Sequence, residues 1–333
     1  MRLQLGYVPL TDAAVLIAAV ERGFTEEEGL GVDLAPAPSW ATLRDHLALG
    51  LLDGAHMLAP LALACHLGLS GPQARLIAPA ALARNGNAVT LSLPLWQALD
   101  ARSDALADVA RAFARVAEAR AGEGRPLTLG TVHPYSSHTY QLRRLLALGG
   151  GSLSAVRLIV VPPPRTVEAL ERGLIDGFCV GAPWSTVAVE AGVGRIAALG
   201  AHIAPDCPEK VLALTADMAD RAAPLLRALK RSARWCGDPG HREDLAALLG
   251  SRRHLGLDPA LIARGLSGRL RLAPGGPLVP APDYLVLSER ELTPDPASLD
   301  WLADEMAAAG QVAAGAVRTE AAGLYRPDLL TAA

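Results

Sequence analysis

Short apolar runs alternate with amphipathic segments through the first third of the chain. Four to six consecutive apolar residues predict buried strands, whereas apolar residues three and four apart predict helices that pack on one face. This alternation favours a parallel sheet with crossover helices. The predicted strands cover 2–6, 31–35 and 54–58, and the predicted helices cover 12–22, 39–49 and 60–67.

A second alternating series follows and predicts a second α/β lobe. One long helix is predicted over 94–121, followed by strands at 127–132, 156–161 and 176–180 with helices at 137–148 and 166–172. After a strand at 211–214 helices dominate, and the Pro- and Gly-rich stretch 273–282 predicts an exposed loop. We therefore expect lobe I to comprise 1–93 plus 210–333, with C-terminal helices supporting it, and lobe II to comprise 94–209.

Composition excludes several function classes. The net charge of −3 over 333 residues and the lack of a basic block argue against direct nucleic-acid binding. No stretch of about 18 apolar residues predicts a membrane span. The four cysteines show no metal-type spacing, so buried free thiols are expected. Met1 leads directly into the first predicted strand, so we expect no export signal and a cytoplasmic location; the alternative is a mature chain that has lost its signal.

Three predicted helix starts carry polar or aromatic residues at the carboxyl ends of strands, where ligands bind in open α/β sheets. Unpaired N–H groups at helix N-termini favour anions. Helix capping is the expected main role of Ser39 and Ser137. No nucleophile elbow, phosphate loop or dinucleotide motif is present, so we expect neither an enzyme nor a cofactor or metal. The three starts are Thr11-Asp12, Ser39-Trp40 and Ser136-Ser137-His138.

An ordered set of motifs resembles the nitrate/bicarbonate-binding proteins of ABC importers, strongly over about residues 1–250. The resemblance implies a two-lobed, periplasmic-binding-protein-like (type II) α/β fold with a hinge and a ligand cleft between the lobes. The motifs are GYVPLTDAA from Gly6, SWATLRDHL from Ser39, DGAHMLAP from Asp53, NGNAVT from Asn85, VVPPP from Val160, DGFCVGAPW from Asp176 and CPEKVLAL from Cys207.

Carried onto this sequence, the family's nitrate contacts fall on Trp40, Asn87, His138 and Lys210. The family usually has Gln where Asn87 stands, and Asn is one methylene shorter. Bicarbonate-binding relatives carry an acidic residue at the position of Lys210. An ammonium supplies charge and three donors to an acceptor-only anion such as nitrate. The alternative is a solvated Lys210 with Glu209 pointing inward. We also expect Lys210→Glu to abolish binding with the fold intact.

Several other residues are candidates for the cleft wall: Thr11, Asp12, Ser39, Pro183 and Trp184, with a core role favoured for the last two. The branch of the family without an export signal resembles NasS, a nitrate/nitrite sensor. The resemblance implies that the ligand-free protein sequesters a NasT-like ANTAR-domain antiterminator, an RNA-binding protein, and releases it when nitrate or nitrite binds. The alternative is the binding component of a nitrate or bicarbonate importer. The stretch 307–310 departs from the transporter pattern.

Overall fold

The computed structural model describes residues 2–315, 321 and 323–333. Strands and helices alternate along most of the chain, as the hydrophobic pattern predicts. The strands are β1 Arg2–Tyr7, β2 Gly31–Pro36, β3 Gly54–Leu58, β4 Leu76–Asn85, β5 Asn87–Ser92, β6 Leu127–Thr131, β7 Val156–Val160, β8 Gly177–Gly181, β9 Gly194–Leu199, β10 Pro208–Thr215, β11 Arg269–Arg271, β12 Leu278–Pro280 and β13 Leu285–Val286.

Fifteen α-helices lie in the described ranges, several of only one turn. They are α1 Ala14–Glu21, α2 Phe24–Glu27, α3 Trp40–Ala48, α4 Ala59–His66, α5 Leu93–Leu99, α6 Leu106–Gly122, α7 Ser137–Leu148, α8 Thr166–Glu171, α9 Trp184–Glu190, α10 Gly200–Ile203, α11 Ala223–Gly237, α12 Arg242–Gly250, α13 Pro259–Leu266, α14 Ala297–Ala308 and α15 Pro327–Ala332. A short 3₁₀ turn, Thr11–Ala13, precedes α1. None of the helices within these ranges is long and apolar enough to cross a membrane.

Two sheets form two lobes, as predicted. The first has the order β13-β4-β10-β3-β1-β2 and the second β7-β6-β8-β5-β9. In the first, β1 pairs in parallel with β2 and β3, while β10 runs antiparallel to β3 and β4. Crossover helices connect the parallel strands, and this places the carboxyl ends of those strands at one edge. The molecule therefore has the two-lobed α/β architecture expected from the sequence.

The sheet to which each strand belongs shows where the chain crosses between the lobes. β4 and β5 belong to different sheets and are separated only by Gly86, whose φ of 100° favours glycine. The chain returns at β10, which begins at Pro208. The sheets therefore put the crossings at Gly86 and just before Pro208, whereas the predicted boundaries are 93/94 and 209/210. The hydrophobic pattern predicted no strand over 76–92, so it did not indicate the first crossing.

The long helix predicted over 94–121 is two helices, α5 and α6. The break falls at Asp100, which adopts a left-handed conformation with φ of 47° at the end of α5. Helices do not continue through a residue in that region, and Asp tolerates it better than most residues. The predicted single helix was therefore wrong at this point.

C-terminal helices contact lobe I. The hydroxyl of Ser232 on α11 donates to the carbonyl of Val15 on α1 over 2.7 Å. A second link crosses to lobe II, because Glu305 on α14 accepts from Arg143 at 2.6 Å and Arg144 at 2.8 Å, both on α7. The C-terminal helix α14 is thus joined to the helix whose N-terminus faces the cleft.

Candidate functional site

The loops and helix starts at the carboxyl ends of β1, β2 and β6 meet between the lobes. Leu10 and Trp40 belong to the same buried apolar cluster as Val180 and Trp184 of lobe II. The amide of Thr11 donates to the carbonyl of Ala182 across the interface over 2.9 Å. The inter-lobe surface is therefore closed, and the side chains discussed below have almost no contact with solvent.

A buried ion cluster lies at the centre of this surface. The ammonium Nζ of Lys210 lies 2.9 Å from Oδ2 of Asp12 and 3.2 Å from Oε2 of Glu209. Lys210 and Asp12 are fully buried, and Glu209 is 1% exposed. Buried charges persist only when they are paired and hydrogen-bonded. Lys210 is therefore held between two carboxylates.

A bulge explains why neighbouring residues of β10 both point inward. Side chains of consecutive strand residues normally alternate between faces. Here Pro208 pairs with Arg84 and Lys210 with Ala83, so two steps along β10 match one step along β4. The extra residue, Glu209, is turned toward the cleft by this irregularity. Both Glu209 and Lys210 consequently reach the same site.

Asp12 also binds a histidine from the middle of β3. Nε2 of His56 lies 3.0 Å from Oδ1 of Asp12, and both side chains are completely buried. The His56 ring packs against the indole of Trp40 with 5.5 Å between centroids. Lys210 Nζ lies 5.7 Å from the centroid of the same indole, a cation–π contact. Trp40 is therefore part of the ion cluster.

Glu209 connects the ion cluster to lobe II. Its Oε2 accepts from the hydroxyl of Ser137 over 2.7 Å, and its Oε1 accepts from the amides of Asn87 at 2.7 Å and Gln141 at 3.2 Å. Ser137 and Gln141 lie on α7, and Asn87 opens β5. With Lys210, four donors surround this carboxylate, which is consistent with an ionised group.

Several buried donors in the site have no partner among the described residues. Both ring nitrogens of His138 and the indole nitrogen of Trp40 are in this state, as are the Trp184 indole nitrogen and the Thr11 hydroxyl. An unpaired buried donor costs about 1–3 kcal/mol. His138 is completely buried in the first turn of α7, where the helix N-terminus also favours negative charge. The two indoles, the Thr11 hydroxyl and one nitrogen of the His138 ring could donate to a small acceptor.

The pKa values of the cluster follow from burial and pairing. Burial opposes the ionisation of Asp12, but Lys210 and His56 outweigh it, so its pKa lies below the ordinary value. Burial lowers the pKa of Lys210, yet Asp12 and Glu209 more than compensate and raise it. Burial raises the pKa of Glu209, and Lys210 and Ser137 offset part of the rise. Lys210 and Asp12 therefore form a stable ion pair.

Both site histidines resist protonation. Burial and then Lys210 hold the pKa of His138 well below its ordinary value, with Asp12 acting in the opposite direction. Burial likewise lowers the pKa of His56, although Asp12 raises it in part. Both imidazoles are therefore neutral in the structure as it stands, and each carries one donor and one acceptor nitrogen.

The structure brings together the four predicted contact residues Trp40, Asn87, His138 and Lys210, and their contact with a ligand stays a prediction. The alternative of a solvated Lys210 is wrong, because its side chain is fully buried between Asp12 and Glu209. Glu209 does point inward, as that alternative held, and it accepts from Lys210. Lys210→Glu would bury three adjacent carboxylates, so an intact fold is not expected for that variant.

Other sequence-based assignments had mixed outcomes. Ser39 caps α3, as predicted, by accepting from the amide of Thr42 over 3.1 Å. Ser137 does not cap α7; Ser136 does, which leaves the Ser137 hydroxyl for Glu209. Pro183 and Trp184 begin α9, and Trp184 is 7% exposed within the inter-lobe apolar cluster. All four cysteines are buried free thiols, as predicted.

Three contributors to the site were missed in the sequence: His56, Gln141 and Gly181. A Cβ at Gly181 would lie 3.2 Å from Oδ2 of Asp12, so only a glycine fits comfortably there. His56 stands inside the DGAHMLAP motif, and that position was the one available signal. In the described ranges, no group of three or more His, Cys, Asp and Glu side chains is arranged to hold a metal.

Comparison with known proteins shows the family of this chain. The model of the NMT1-like family matches residues 1–250. The chain is 35% identical over 272 residues to the nitrate import ATP-binding protein NrtC of Synechocystis sp., covering 80% of this chain and 39% of NrtC. It is 32% identical over 261 residues to the nitrate/nitrite binding protein NrtA of the same organism, covering 75% of this chain and 56% of NrtA. The chain therefore spans less than two thirds of these relatives.

A solved structure supports the same grouping. The crystal structure of the periplasmic nitrate-binding protein NrtA from Synechocystis PCC 6803 superposes with a TM-score of 0.90. Sequence identity in that comparison is 26%, and the match covers 99% of this chain and 87% of the other. The two-lobed architecture is thus shared over nearly the whole chain.

Proposed function

This chain belongs to the NMT1-like family, and we propose that it binds nitrate or nitrite between its two lobes. One observation carries the proposal. The indole nitrogen of Trp40 and both ring nitrogens of His138 are buried without partners in the described ranges, beside the ammonium of Lys210. A small planar anion that only accepts hydrogen bonds would satisfy the indole N–H of Trp40 and the one N–H of the neutral His138 ring.

The shape and number of the donors favour a small monoanion. The ammonium of Lys210 already contacts Asp12 and Glu209, which occupies part of its hydrogen-bonding capacity. The ligand's main hydrogen bonds therefore come from Trp40 and His138. The side-chain amide of Asn87 already donates to Glu209, so only its remaining hydrogen-bonding capacity is available to a ligand. We therefore assign Trp40 and His138 as the principal contacts, Lys210 as an electrostatic contributor and Asn87 as an indirect one.

Isothermal titration calorimetry with nitrate, nitrite, bicarbonate, sulfate and chloride tests the binding proposal. The expected result is saturable heat with nitrate or nitrite at one site per chain, and none with sulfate or chloride. Binding of bicarbonate alone, particularly with a requirement for calcium, would contradict the proposal. A thermal-shift series is an independent readout, since stability rises with the logarithm of ligand concentration.

For the biological role, we propose a cytoplasmic nitrate/nitrite sensor whose ligand-free form holds a NasT-like antiterminator. The ordered motifs resemble the nitrate/bicarbonate-binding family as a whole, and the sensor role rests on the resemblance to the NasS branch within that family. Physically, the partner must bind the open form better than the closed form, so that the anion shifts the population and releases it. Binding rather than catalysis is the proposed activity throughout.

The second candidate is the binding component of a nitrate or bicarbonate importer, since relatives of the chain include a nitrate/nitrite binding protein and a bicarbonate-binding protein. Nitrate affinity measured with and without a NasT-like protein separates the two roles. In the sensor role, the partner weakens nitrate binding by the same factor as nitrate weakens the complex. Identical affinities in both titrations, with no complex on size-exclusion chromatography, would favour the importer role.

A further inference from the structure

The ion cluster has more acid than base. With both carboxylates ionised, Asp12 and Glu209 contribute two negative charges and Lys210 one positive charge, while His56 and His138 are neutral. The cluster then carries a formal charge of −1. All five side chains are 0–1% exposed, so solvent cannot screen this charge. Lys210 is therefore already neutralised before any ligand enters.

Entry of an anion would double the negative charge of a closed, buried site. Excess charge in a site without water is costly, and proteins avoid it by shifting a pKa and changing a protonation state. A bound anion raises the pKa of a neighbouring imidazole, because opposite charges within about 4–6 Å favour the charged form. A proton taken up with the ligand restores the original charge.

Resting on the proposed function, we infer that nitrate or nitrite binds together with one proton, and that His138 takes up that proton. Neither of its ring nitrogens has a partner among the described residues, so imidazolium can use one N–H for the ligand. The cluster therefore accepts a monoanion and a proton as a neutral pair. A dianion such as sulfate would need a second proton and is rejected.

The other titratable groups of the cluster are less suited to this role. His56 on β3 is held by Asp12, which precedes α1, through an existing 3.0 Å contact. Glu209 on β10 accepts from four donors, and a protonated carboxyl would lose at least one of them. The charges that act on His138 are Lys210 on β10, which opposes its protonation, and Asp12, which favours it. The negative charge of a bound anion acts in the same direction as Asp12 and favours the protonated imidazolium form of His138.

The sign of the pH dependence follows from linkage. Free His138 is neutral near pH 7 because its pKa lies well below the ordinary value. The ligand raises that pKa, so between the free and bound values each pH unit of acidification tightens nitrate binding by up to about tenfold. Above the bound pKa the proton is not taken up, and affinity becomes independent of pH.

The primary experiment uses the unmodified chain. Nitrate is titrated calorimetrically at about pH 7 in buffers with different ionisation enthalpies, and the slope of binding enthalpy against ionisation enthalpy gives the protons taken up per nitrate. The expected value is close to one. Nitrate binding with a slope of zero would overturn the inference and leave the proposed function standing. No nitrate heat in any buffer would overturn both.

Two variants identify the group that takes up the proton. His138→Gln retains an amide donor but cannot be protonated, so weaker nitrate binding without proton uptake is expected. His133→Gln changes another buried histidine, in the loop just before α7 and outside the ion cluster, and should keep about one proton per nitrate. Proton uptake that survives in His138→Gln but is lost in Glu209→Gln would overturn the assignment to His138.

A spectroscopic readout covers the case in which His138→Gln binds too weakly to titrate. The ¹⁵N shifts of the His138 ring, identified by their absence in His138→Gln, distinguish neutral imidazole from imidazolium. Saturation of the unmodified chain with nitrate should move both ring nitrogens to imidazolium values. Neutral shifts in the nitrate-saturated protein would overturn the inference.

Discussion

The ammonium of Lys210 lies 2.9 Å from a carboxylate oxygen of Asp12, and both side chains are completely buried. The two residues come from β10 and from the turn after β1, so the ion pair links the returning hinge strand to the first loop of lobe I. The ion pair gives Lys210 a structural role, in addition to its proposed role as a positive charge next to the ligand.

Lys210→Met should destabilise the fold strongly. It removes the ammonium that pairs with two buried carboxylates, and breaking a buried pair typically costs about 3–5 kcal/mol. Urea unfolding at neutral pH measures the loss. The control is Lys230→Met on α11, at a partly exposed site, where a change of no more than about 0.5 kcal/mol is expected. Equal stabilities of the two variants would contradict the role given to Lys210.

Trp40→Phe tests the indole donor separately from the ring. Phenylalanine keeps most of the packing against His56 but loses the N–H, so nitrate affinity should fall by about tenfold, or roughly 1.4 kcal/mol. Calorimetric titration measures this. Trp96→Phe is the matched control, because Trp96 lies under Arg195 in lobe II, with 4.2 Å between the guanidinium carbon and the ring centroid. An unchanged affinity in Trp40→Phe would remove Trp40 from the ligand contacts.

Gly181→Ala should impair binding with little change in the fold. The added Cβ would stand 3.2 Å from Oδ2 of Asp12 and 3.6 Å from Oδ1 of Asn87, so the ion cluster must shift by a few tenths of an ångström. Misplaced donors weaken a small-anion site, and we expect nitrate affinity to fall several-fold. Gly122→Ala, where a Cβ meets nothing within 4 Å, serves as the control and should bind normally. Full affinity in Gly181→Ala would show that the cluster tolerates displacement.

Stability should decrease as the pH falls from about 7 to about 5. Burial lowers the pKa of His133 to about 4 and also lowers the pKa values of His56 and His138. The unfolded chain, with histidine pKa values near 6.5, therefore binds more protons in this window, and linkage makes unfolding easier. Urea denaturation across the range measures the slope, and His133→Gln should reduce it by about one proton. A flat profile would contradict the neutral buried histidines.

Much of the architecture was predictable because strand and helix periodicity is local. The strands β1 and β3 and the helix α7 lie where the hydrophobic pattern puts them, and two alternating series correctly indicate two α/β lobes. The hydrophobic pattern did not predict element boundaries that depend on the backbone conformation of one residue. Asp100 in the left-handed region divides the predicted long helix, and Gly86, with a positive φ, separates β4 from β5, two strands that the pattern did not predict.

In the candidate site, too, the sequence predicted some features and the tertiary structure decided others. The sequence alone determined the residue types at the helix starts, including Trp40 and His138, since they are fixed relative to elements that local pattern reveals. Only the tertiary structure decided their electrostatic state. A bulge in β10 turns Glu209 and Lys210 to the same side, and the lobes bring Asp12, His56 and Ser137 against them. Charge pairing in a buried site depends on distances between segments far apart in the chain, and no local pattern contains that information.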